Sequence, residues 1–270
     1  MKINLLLPIF CLPLAVSAQV FMQPFENAAF MASGGANAAR QTADNGLSNP
    51  AQLGHAPATA VFAWSAIPYS LKGWQSHGAQ ALFRAQRYGG AGIEVLHSGV
   101  EGYAEQRFSV GYGRRLSEKL SLGGSLVGMR VAAGEYGNAT AFTFALGVTA
   151  RPLPQLSIGA VIHNPVPQQL AAYPLSSVLR IGAQWRPSSL FSVSADMDKD
   201  LNAPAQLRAG AEYRPISWLF LRAGTRTGPA RAAFGAGFVL PGHIRIDTGA
   251  EWHSILGLTP ALMVSWSTED

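Results

Sequence analysis

Arginine and acidic side chains recur along stretches of this sequence in which polar and apolar residues alternate. The polar positions of these stretches include Arg107, Arg180, Asp196, Arg208, Glu212, Arg222, Arg245, Asp247 and Glu251. Guanidinium and carboxylate groups can form ion pairs with one another, and a cluster of them can also bind a substrate or relay protons. Structural ion pairs are the commoner cause of such clusters, so we expect a network of paired charges. A binding or proton-relay site is the alternative.

Two specific pairings follow if the hairpins that carry these charges close symmetrically. A hairpin centred on Ile216 would place Gly210 opposite Arg222, with Glu212 as the diagonal neighbour of Arg222. A hairpin that turns at Pro187 and Ser188 would likewise place Arg180 opposite Asp196.

The histidines, serines and cysteine show no pattern of a catalytic or metal site. The six histidines lack metal-ligand spacing, no H-E-x-x-H motif occurs, and the only cysteine is Cys11. His97-Ser98 and His253-Ser254 are adjacent pairs, and adjacent residues of a strand point to opposite faces. Neither pair can form a Ser–His dyad alone. We therefore expect no enzyme activity, no metal and no cofactor.

The elements that must position these charges are short strands, and residues 206–226 show their pattern. Apolar and polar residues alternate along 206–214 and again along 219–226, which is the period of a strand with two unlike faces. Pro215 lacks an N–H and suits a turn, so we expect the bend of a hairpin there. Similar turn signals recur along the chain, one per hairpin. The pattern predicts fourteen strands: 59–67, 75–85, 88–97, 103–113, 119–131, 141–151, 155–164, 178–186, 190–198, 206–214, 218–226, 231–240, 244–253 and 258–266.

The composition and the N-terminal segment limit the class of protein to which the chain can belong. Residues 1–18 are typical of a secretory signal peptide, with an apolar run after Lys2 and the small-residue site Val16-Ser17-Ala18. Only 13% of residues are charged, against about 25% in ordinary globular domains, and no stretch reaches the roughly 18 apolar residues of a transmembrane helix. An exported, apolar chain without spanning helix or disulfide predicts an all-β fold. We expect a transmembrane antiparallel β-barrel of about 14 strands in a Gram-negative outer membrane, in contact with lipid.

Residues 19–57, ahead of the barrel at 58–270, lack a strand period. Asn49 followed by Pro50 is typical of a helix start, because Asn caps free amides and Pro suits the first helical position. Fourteen strands enclose a lumen that must be filled or conduct. We predict that 19–57 forms a plug, whose motif is Asn49, Pro50, Ala51 and Leu53. Glycines on the strands would let the plug backbone approach the wall.

The connections and the aromatic residues orient the predicted barrel. The Arg-Pro turns are short, whereas 131–140, 164–177 and 199–205 are longer, so we expect the short turns and both termini on the periplasmic side. Aromatic girdles at the membrane interfaces would account for Trp64, Trp74, Trp185, Trp218, Trp252, Trp266, Tyr112, Tyr213 and Phe191. The arginines are spread along the strands and turns and form no patch, so nucleic acid is not expected as a partner.

Several short stretches resemble a known family of outer-membrane barrels. The N-terminal hatch of the FadL superfamily is similar to Ala28-Ala29, Gly34-Gly35-Ala36-Asn37, Asp44-Asn45 and Asn49-Pro50-Ala51 with Leu53. The PorV/PorQ branch of that superfamily is more narrowly similar to His163-Asn164, Leu207-Arg208-Ala209-Gly210 with Glu212-Tyr213, Leu221-Arg222-Ala223-Gly224 and Ile246-Asp247.

The resemblance implies a fourteen-stranded barrel with a plug and, for the PorV/PorQ branch, a role in type IX protein secretion. Barrels of that branch bind secreted cargo domains or surface attachment proteins on the outer face, so we expect a docking or attachment component. The alternative is a FadL-like channel for the uptake of a hydrophobic small molecule, gated by the plug around Asn49 to Leu53. A third hypothesis is a porin-like barrel that conducts ions without selectivity.

Overall fold

Fourteen antiparallel strands close into a single barrel. The computed structural model describes residues 27–85, 89–166, 168–171, 173–200 and 203–268. The barrel strands are β1 (Thr59–Ala66), β2 (Gln75–Ala85), β3 (Gly89–Val100), β4 (Tyr103–Arg115), β5 (Leu120–Ala132), β6 (Asn138–Leu153), β7 (Leu156–His163), β10 (Val178–Trp185), β11 (Phe191–Asp200), β12 (Gln206–Ile216), β13 (Leu219–Arg226), β14 (Arg231–Leu240), β15 (Ile244–His253) and β16 (Gly257–Ser267). The ladder between β1 and β16 closes the ring. The predicted fold class and strand number are confirmed.

Shorter elements lie before the barrel and in its connections. A five-residue helix, α1 (Ala28–Ala32), precedes the 3-10 helices Ala43–Asn45 and Pro50–His55, and two more 3-10 turns follow at Pro68–Ser70 and Gly134–Tyr136. Strands β8 (Gln169–Leu170) and β9 (Tyr173–Pro174) pair with each other outside the barrel ladder. None of the helices in the described residues is long and apolar enough to cross a membrane.

The two faces of the wall differ as the strand alternation predicts. Leu126 and Phe142 point outward and are 71% and 74% exposed, whereas their neighbours Ser125 and Thr143 point inward and are buried. An apolar outer face and a polar lumen are the arrangement of a barrel surrounded by lipid. Trp64, which we predicted for an aromatic girdle, is an exception because its side chain is buried in the lumen.

The two ends of the barrel differ in their connections. At the end where β1 begins and β16 ends, which we call the terminal end, the connections 116–119, 154–155, 217–218 and 241–243 are short. At the opposite end, the loop end, the connections include 67–74 and 164–177. The two longest connections are at the loop end, but 101–102 and 254–256 at that end are as short as the turns of the terminal end, so the predicted alternation is present only in part.

Pro215 does not mark the bend of its hairpin. Strand β12 continues through Pro215 to Ile216, and the ladder shifts register between Tyr213 and Ile216. Two residues of β12 oppose one of β13 there, which is a β-bulge, a place where the missing N–H of proline is tolerated. As a result Glu212 pairs directly with Arg222, and Gly210 pairs with Gly224. The predicted pairing of Gly210 with Arg222 is wrong by two positions.

The predicted pairing of Arg180 with Asp196 is also wrong. In the ladder between β10 and β11, Arg180 lies opposite Asp198, and Asp196 lies opposite Gly182. The connection between these strands is centred on Ser189, one residue later than we predicted, and a shift of one residue at the turn moves every pairing by two.

Residues 27–57 lie inside the barrel, toward its terminal end. Helix α1 packs against β13 to β16, and the 3-10 helix Pro50–His55 packs against β3 to β6. Nearly all residues of this segment are buried. We call residues 27–57 the plug. Residues 1–18 of the predicted signal peptide and residues 19–26 of the predicted plug lie outside the described residues.

Candidate functional site

A chain of ion pairs starts in the plug, passes through the barrel wall and ends in the plug. From Arg40 of the plug it runs through Glu212, Arg222, Asp247 and Arg245 and returns to the plug at Asp44, with successive N–O distances of 3.0, 2.7, 2.6, 2.7 and 3.1 Å. The Arg222 and Asp247 side chains have no solvent-accessible surface. Buried charges are tolerated when each has an opposite partner, so this chain both neutralises the lumen and fixes the plug.

Two further groups of paired charges line the lumen on β10 to β15. Asp198 accepts hydrogen bonds from Arg180 Nε at 2.6 Å and from Arg208 Nε at 3.0 Å. Glu251 accepts from Arg226 at 2.6 Å and from Arg231 at 2.8 Å. The predicted luminal charges therefore do meet one another, with Asp198 in the place that we assigned to Asp196.

Asp196 instead binds the plug backbone. Its Oδ2 accepts hydrogen bonds from the N–H groups of Asn37 and Ala38, at 2.6 and 2.8 Å. The wall provides this acceptor to the plug because Gly182, opposite Asp196, has no side chain to occupy the space that the carboxylate takes.

Asn49 connects three parts of the structure. Its Oδ1 accepts from Ala51 N at 3.1 Å and so caps the 3-10 helix, in which Pro50 holds the first position. Its Nδ2 donates to Ala38 O within the plug at 2.6 Å, and the wall carbonyls of Val148 and Ala160 lie at 3.4 and 3.5 Å. Leu53, four residues on, is fully buried. That these residues gate the lumen stays a prediction.

Inward-facing glycines surround the plug on most strands. A Cβ on Gly113 or Gly123 would overlap the Pro50 carbonyl oxygen, and one on Gly210 would overlap the Ser33 carbonyl oxygen. Similar overlaps with plug atoms occur at Gly90, Gly147, Gly159, Gly224 and Gly249. The predicted role of strand glycines in admitting the plug backbone is confirmed, and the fit leaves little room for water between plug and wall.

The plug carries two groups with shifted pKa values. Burial raises the pKa of the Asp44 carboxyl, but the Arg40 and Arg245 charges lower it more, to about 2 from an ordinary 3.8. Burial, with the Arg115 and Arg151 charges, lowers the pKa of His55 to about 4 from 6.5. Because docking of the plug in the barrel lowers the pKa values of both groups, the plug is held most tightly at high pH. The His55 contribution is lost as the pH falls from 6.5 through 4, and the Asp44 contribution as it falls from 3.8 through 2.

We expect the seal made by the plug to weaken in acid. Ion conductance of the purified barrel in a planar bilayer should stay low at pH 7 and rise as the pH falls, with a final step between about pH 4 and pH 2. The Asp44→Asn variant should lack that final step and conduct more at pH 7. A conductance independent of pH between 7 and 2 would contradict this role of Asp44.

A cavity of about 370 Å³ lies between the plug and the loop end. One side of it is apolar, with Phe30 and Leu47 of the plug facing Trp64, Val127 and Met129 of the wall. The other side carries the paired charges of β10 to β14, including Arg180, Arg208 and Asp198. The cavity is therefore amphipathic, which neither the predicted charge network nor the plug motif indicated.

On one side of this cavity the ladder between β6 and β7 stops before the loop end of β6. The ladder begins at Ala145, and beyond it the buried Leu170 of β8 lies in one apolar cluster with Ala141 of β6. Asn164 holds this edge, since its N–H donates to Phe144 O at 3.0 Å and its Oδ1 accepts from the Thr143 hydroxyl at 2.8 Å. Phe144 and Val178 on either side of the interruption both line the cavity.

The part of the chain that the structure describes has no cluster of metal-ligand side chains. No group of three or more His, Cys, Asp or Glu side chains there could hold a metal ion. His253, buried near the loop end, uses Nδ1 to accept from the N–H groups of Ile255 and Leu256, both at 3.1 Å. His97 lies opposite Gln106 on the neighbouring strand.

The fold is similar to that of outer-membrane transport channels. The toluene transporter TodX of P. putida superposes with a TM-score of 0.72 at 12% identity, covering 90% of this chain and 99% of that one. The Ralstonia pickettii toluene transporter TbuX gives 0.66 at 14%, over 90% and 99% of the two chains, and a Pseudomonas aeruginosa FadL homologue gives 0.68 at 10%, over 89% and 98%. No protein-family model and no curated protein sequence matches the chain. The chain therefore has the fold of FadL-like outer-membrane barrels.

Sequence reasoning missed several residues of this site. Arg40 and Asp44 complete the ion-pair chain. Both lie in a plug segment with few other charges, and this isolation could have indicated that they pair with the wall. Gln80 and Glu94 line the cavity from adjacent strands, but nothing in the alternation distinguishes them from other inward polar residues.

Proposed function

We propose that the chain is an outer-membrane channel that admits small, largely apolar molecules from the loop end of the barrel. The cavity above the plug carries this proposal, because it offers an apolar surface inside a wall that otherwise encloses paired charges. Phe144 and Val178, on either side of the place where the ladder between β6 and β7 stops, add apolar surface to this cavity. The toluene transporters TodX and TbuX have the same fold.

The proposed orientation places the loop end outside the cell and the terminal end in the periplasm. Short turns in the periplasm and longer loops outside are the rule for outer-membrane barrels. A molecule that enters the cavity meets the plug below it, so onward passage needs either movement of the plug or an exit through the side of the barrel.

A role in type IX secretion stays a prediction from the sequence resemblance to the PorV/PorQ branch. Two of the structural neighbours described above are named as toluene transporters. Transport is therefore the function that the geometry supports best.

Entry of radiolabelled toluene into vesicles with a lipopolysaccharide outer leaflet tests the proposal. We expect faster entry with the reconstituted protein than without it, and no faster entry of glycerol. Deletion of residues 27–57 should abolish this selectivity, because the emptied lumen would admit both solutes. Toluene entry equal to that of protein-free vesicles would exclude the channel function and favour a docking barrel.

A further inference from the structure

Four neighbouring strands that run toward the terminal end carry an inward-facing arginine there. Side chains of a strand alternate between its two faces, and the luminal face includes Gly113 of β4, Gly147 of β6, Gln184 of β10 and Gly210 of β12. In steps of two from these residues, the same face carries an arginine at or near the end of each strand. We call these residues the arginine row: Arg115, Arg151, Arg186 and Arg214.

Neutral amides hold the two middle arginines of the row. Arg151 donates to the side-chain oxygen of Gln41 in the plug, and Arg186 donates to Oε1 of Gln184 at 3.2 Å. The backbone N–H of Gln41 points to the same Gln184 oxygen at 3.4 Å. The two arginines therefore meet one group of amides where the plug touches the wall, and these contacts leave both charges without a counter-charge.

The outer two arginines of the row also form no ion pair with a carboxylate of the described residues. Arg214 donates to the carbonyl oxygen of Ser217 at 3.1 Å, and no acidic group in the described ranges pairs with Arg115. Burial lowers the pKa of His55 in the plug, and the nearby charges of Arg115 and Arg151 lower it further. Positive charge is therefore concentrated around the plug at this end of the barrel.

The described carboxylates near the terminal end do not neutralise the row. Glu212, the luminal carboxylate next to it on β12, already accepts hydrogen bonds from Arg40 and Arg222. Glu118, in the exposed connection after β4, is offset by the adjacent Lys119. An uncompensated cluster of one sign attracts an oppositely charged partner from solution.

The position and spacing of the row favour an acidic protein segment. The arginines face the lumen, so phosphate groups of the lipid outside the wall do not reach them. Neighbouring members lie two strands apart in the ladder, which is roughly 10 Å, too far for one small anion to bridge the row. An extended peptide advances about 3.3 Å per residue, so a carboxylate at every third position matches this spacing. Guanidinium groups bind carboxylates through paired hydrogen bonds.

We propose that the terminal end of the barrel binds an extended acidic segment of a periplasmic protein, whose carboxylates pair with the arginine row. A segment bound at Arg151 lies beside Gln41, so the partner contacts the plug that fills the lumen. The inference rests on the orientation proposed above, which places this end in the periplasm, and does not depend on which solute the channel admits.

Fluorescence anisotropy of a dye-labelled octaglutamate peptide, titrated with the full-length barrel in an uncharged detergent, tests the proposal. We expect saturable binding that weakens as salt is added. The Arg151→Gln/Arg186→Gln variant should bind about four- to twenty-five-fold more weakly, about two- to fivefold for each charge removed. The Arg151→Lys/Arg186→Lys variant keeps both charges and should recover most of the affinity.

Arg130→Gln/Lys199→Gln is the matched control, because it removes two exposed charges near the loop end and changes the net charge equally. It should bind the peptide as wild type does. Arg115→Gln/Arg214→Gln repeats the test if the first glutamine variant does not fold.

Three results would overturn the proposal. They are no binding of octaglutamate by folded wild type at low salt, equal losses in the terminal-end variant and the loop-end control, and tighter binding of an oligothymidylate of eight nucleotides, which would indicate a phosphate-bearing partner. None of them bears on the channel function, because binding is measured without transport. Conversely, failure of toluene entry into vesicles would leave this interaction standing.

Discussion

Replacing Gly123 with valine is expected to raise the ion conductance of the barrel about ten- to hundredfold. A Cβ at this position would overlap the Pro50 carbonyl oxygen of the plug, and forcing side-chain atoms into a packed interior costs roughly 1–3 kcal/mol. The wall is held by two full ladders at β5, so the plug should yield first. Single-channel recording in planar bilayers would show longer or more frequent open events.

Gly124→Val is a closely matched control for this prediction. Gly124 is the next residue on β5, but it points outward, and a Cβ there meets its nearest neighbour atom at 3.4 Å, an ordinary contact distance. The control variant should conduct as little as wild type. If the Gly123 and Gly124 variants have equal conductance while both migrate as folded barrels on unheated gels, the contact of the plug with Gly123 does not seal the lumen.

Replacing Arg222 with leucine is expected to produce the largest loss of stability of any single change in the lumen. The Arg222 side chain is fully buried between Glu212 and Asp247, and its loss leaves two carboxylates close together without the shared cation. Removal of one partner of a buried ion pair costs about 3–5 kcal/mol. The midpoint of urea unfolding in detergent micelles, followed by gel mobility, should fall accordingly.

Two further variants separate the charge effect from general damage. Arg114→Leu removes an exposed arginine of β4 and should leave the unfolding midpoint nearly unchanged. The double variant Arg222→Leu/Asp247→Leu should lose less stability than the sum of its single changes, because it leaves Glu212 with Arg40 and Arg245 with Asp44. Additive losses in the double variant would mean that Arg222 and Asp247 do not depend on each other.

The strand count and the direction of the side chains were predictable because one rule governs both. Each strand must present apolar residues to lipid and polar residues to the lumen. The alternation at Leu207, Arg208 and Ala209 can therefore be read directly from the sequence. β2, β14 and β15 begin and end where the alternation predicts. Trp64 was misassigned because its position near a strand end suggested an interface, although the alternation of β1 places it inward with Phe62.

The pairing of charges was less predictable because it depends on the turns. A turn at residues 217–218 combined with the bulge at Pro215 moved the pairing of β12 with β13 by two positions, and a turn centred one residue later near Ser189 moved that of β10 with β11 by two. The alternation is insensitive to such shifts, since a two-residue change returns every side chain to the same face. Most strand charges of the network were therefore identified, but Asp198, which the prediction left out, pairs with Arg180 in place of Asp196.

The cavity could not be predicted because it depends on how the plug sits. Phe30 and Leu47 face Trp64 and Gln80 only because the wall glycines let the plug backbone lie close to the barrel. Those contacts join residues far apart in the sequence. The sequence resemblance suggested a docking role, whereas the amphipathic cavity is a feature that a transported molecule would use.

The most direct test of a plugged transport channel is to record toluene entry and potassium leakage in the same vesicles with a lipopolysaccharide outer leaflet. We predict that wild-type protein accelerates toluene entry several-fold over protein-free vesicles while potassium leakage stays at the protein-free level. Equal acceleration of both would indicate an open, unselective pore, and acceleration of neither by correctly folded protein would show that the barrel does not transport.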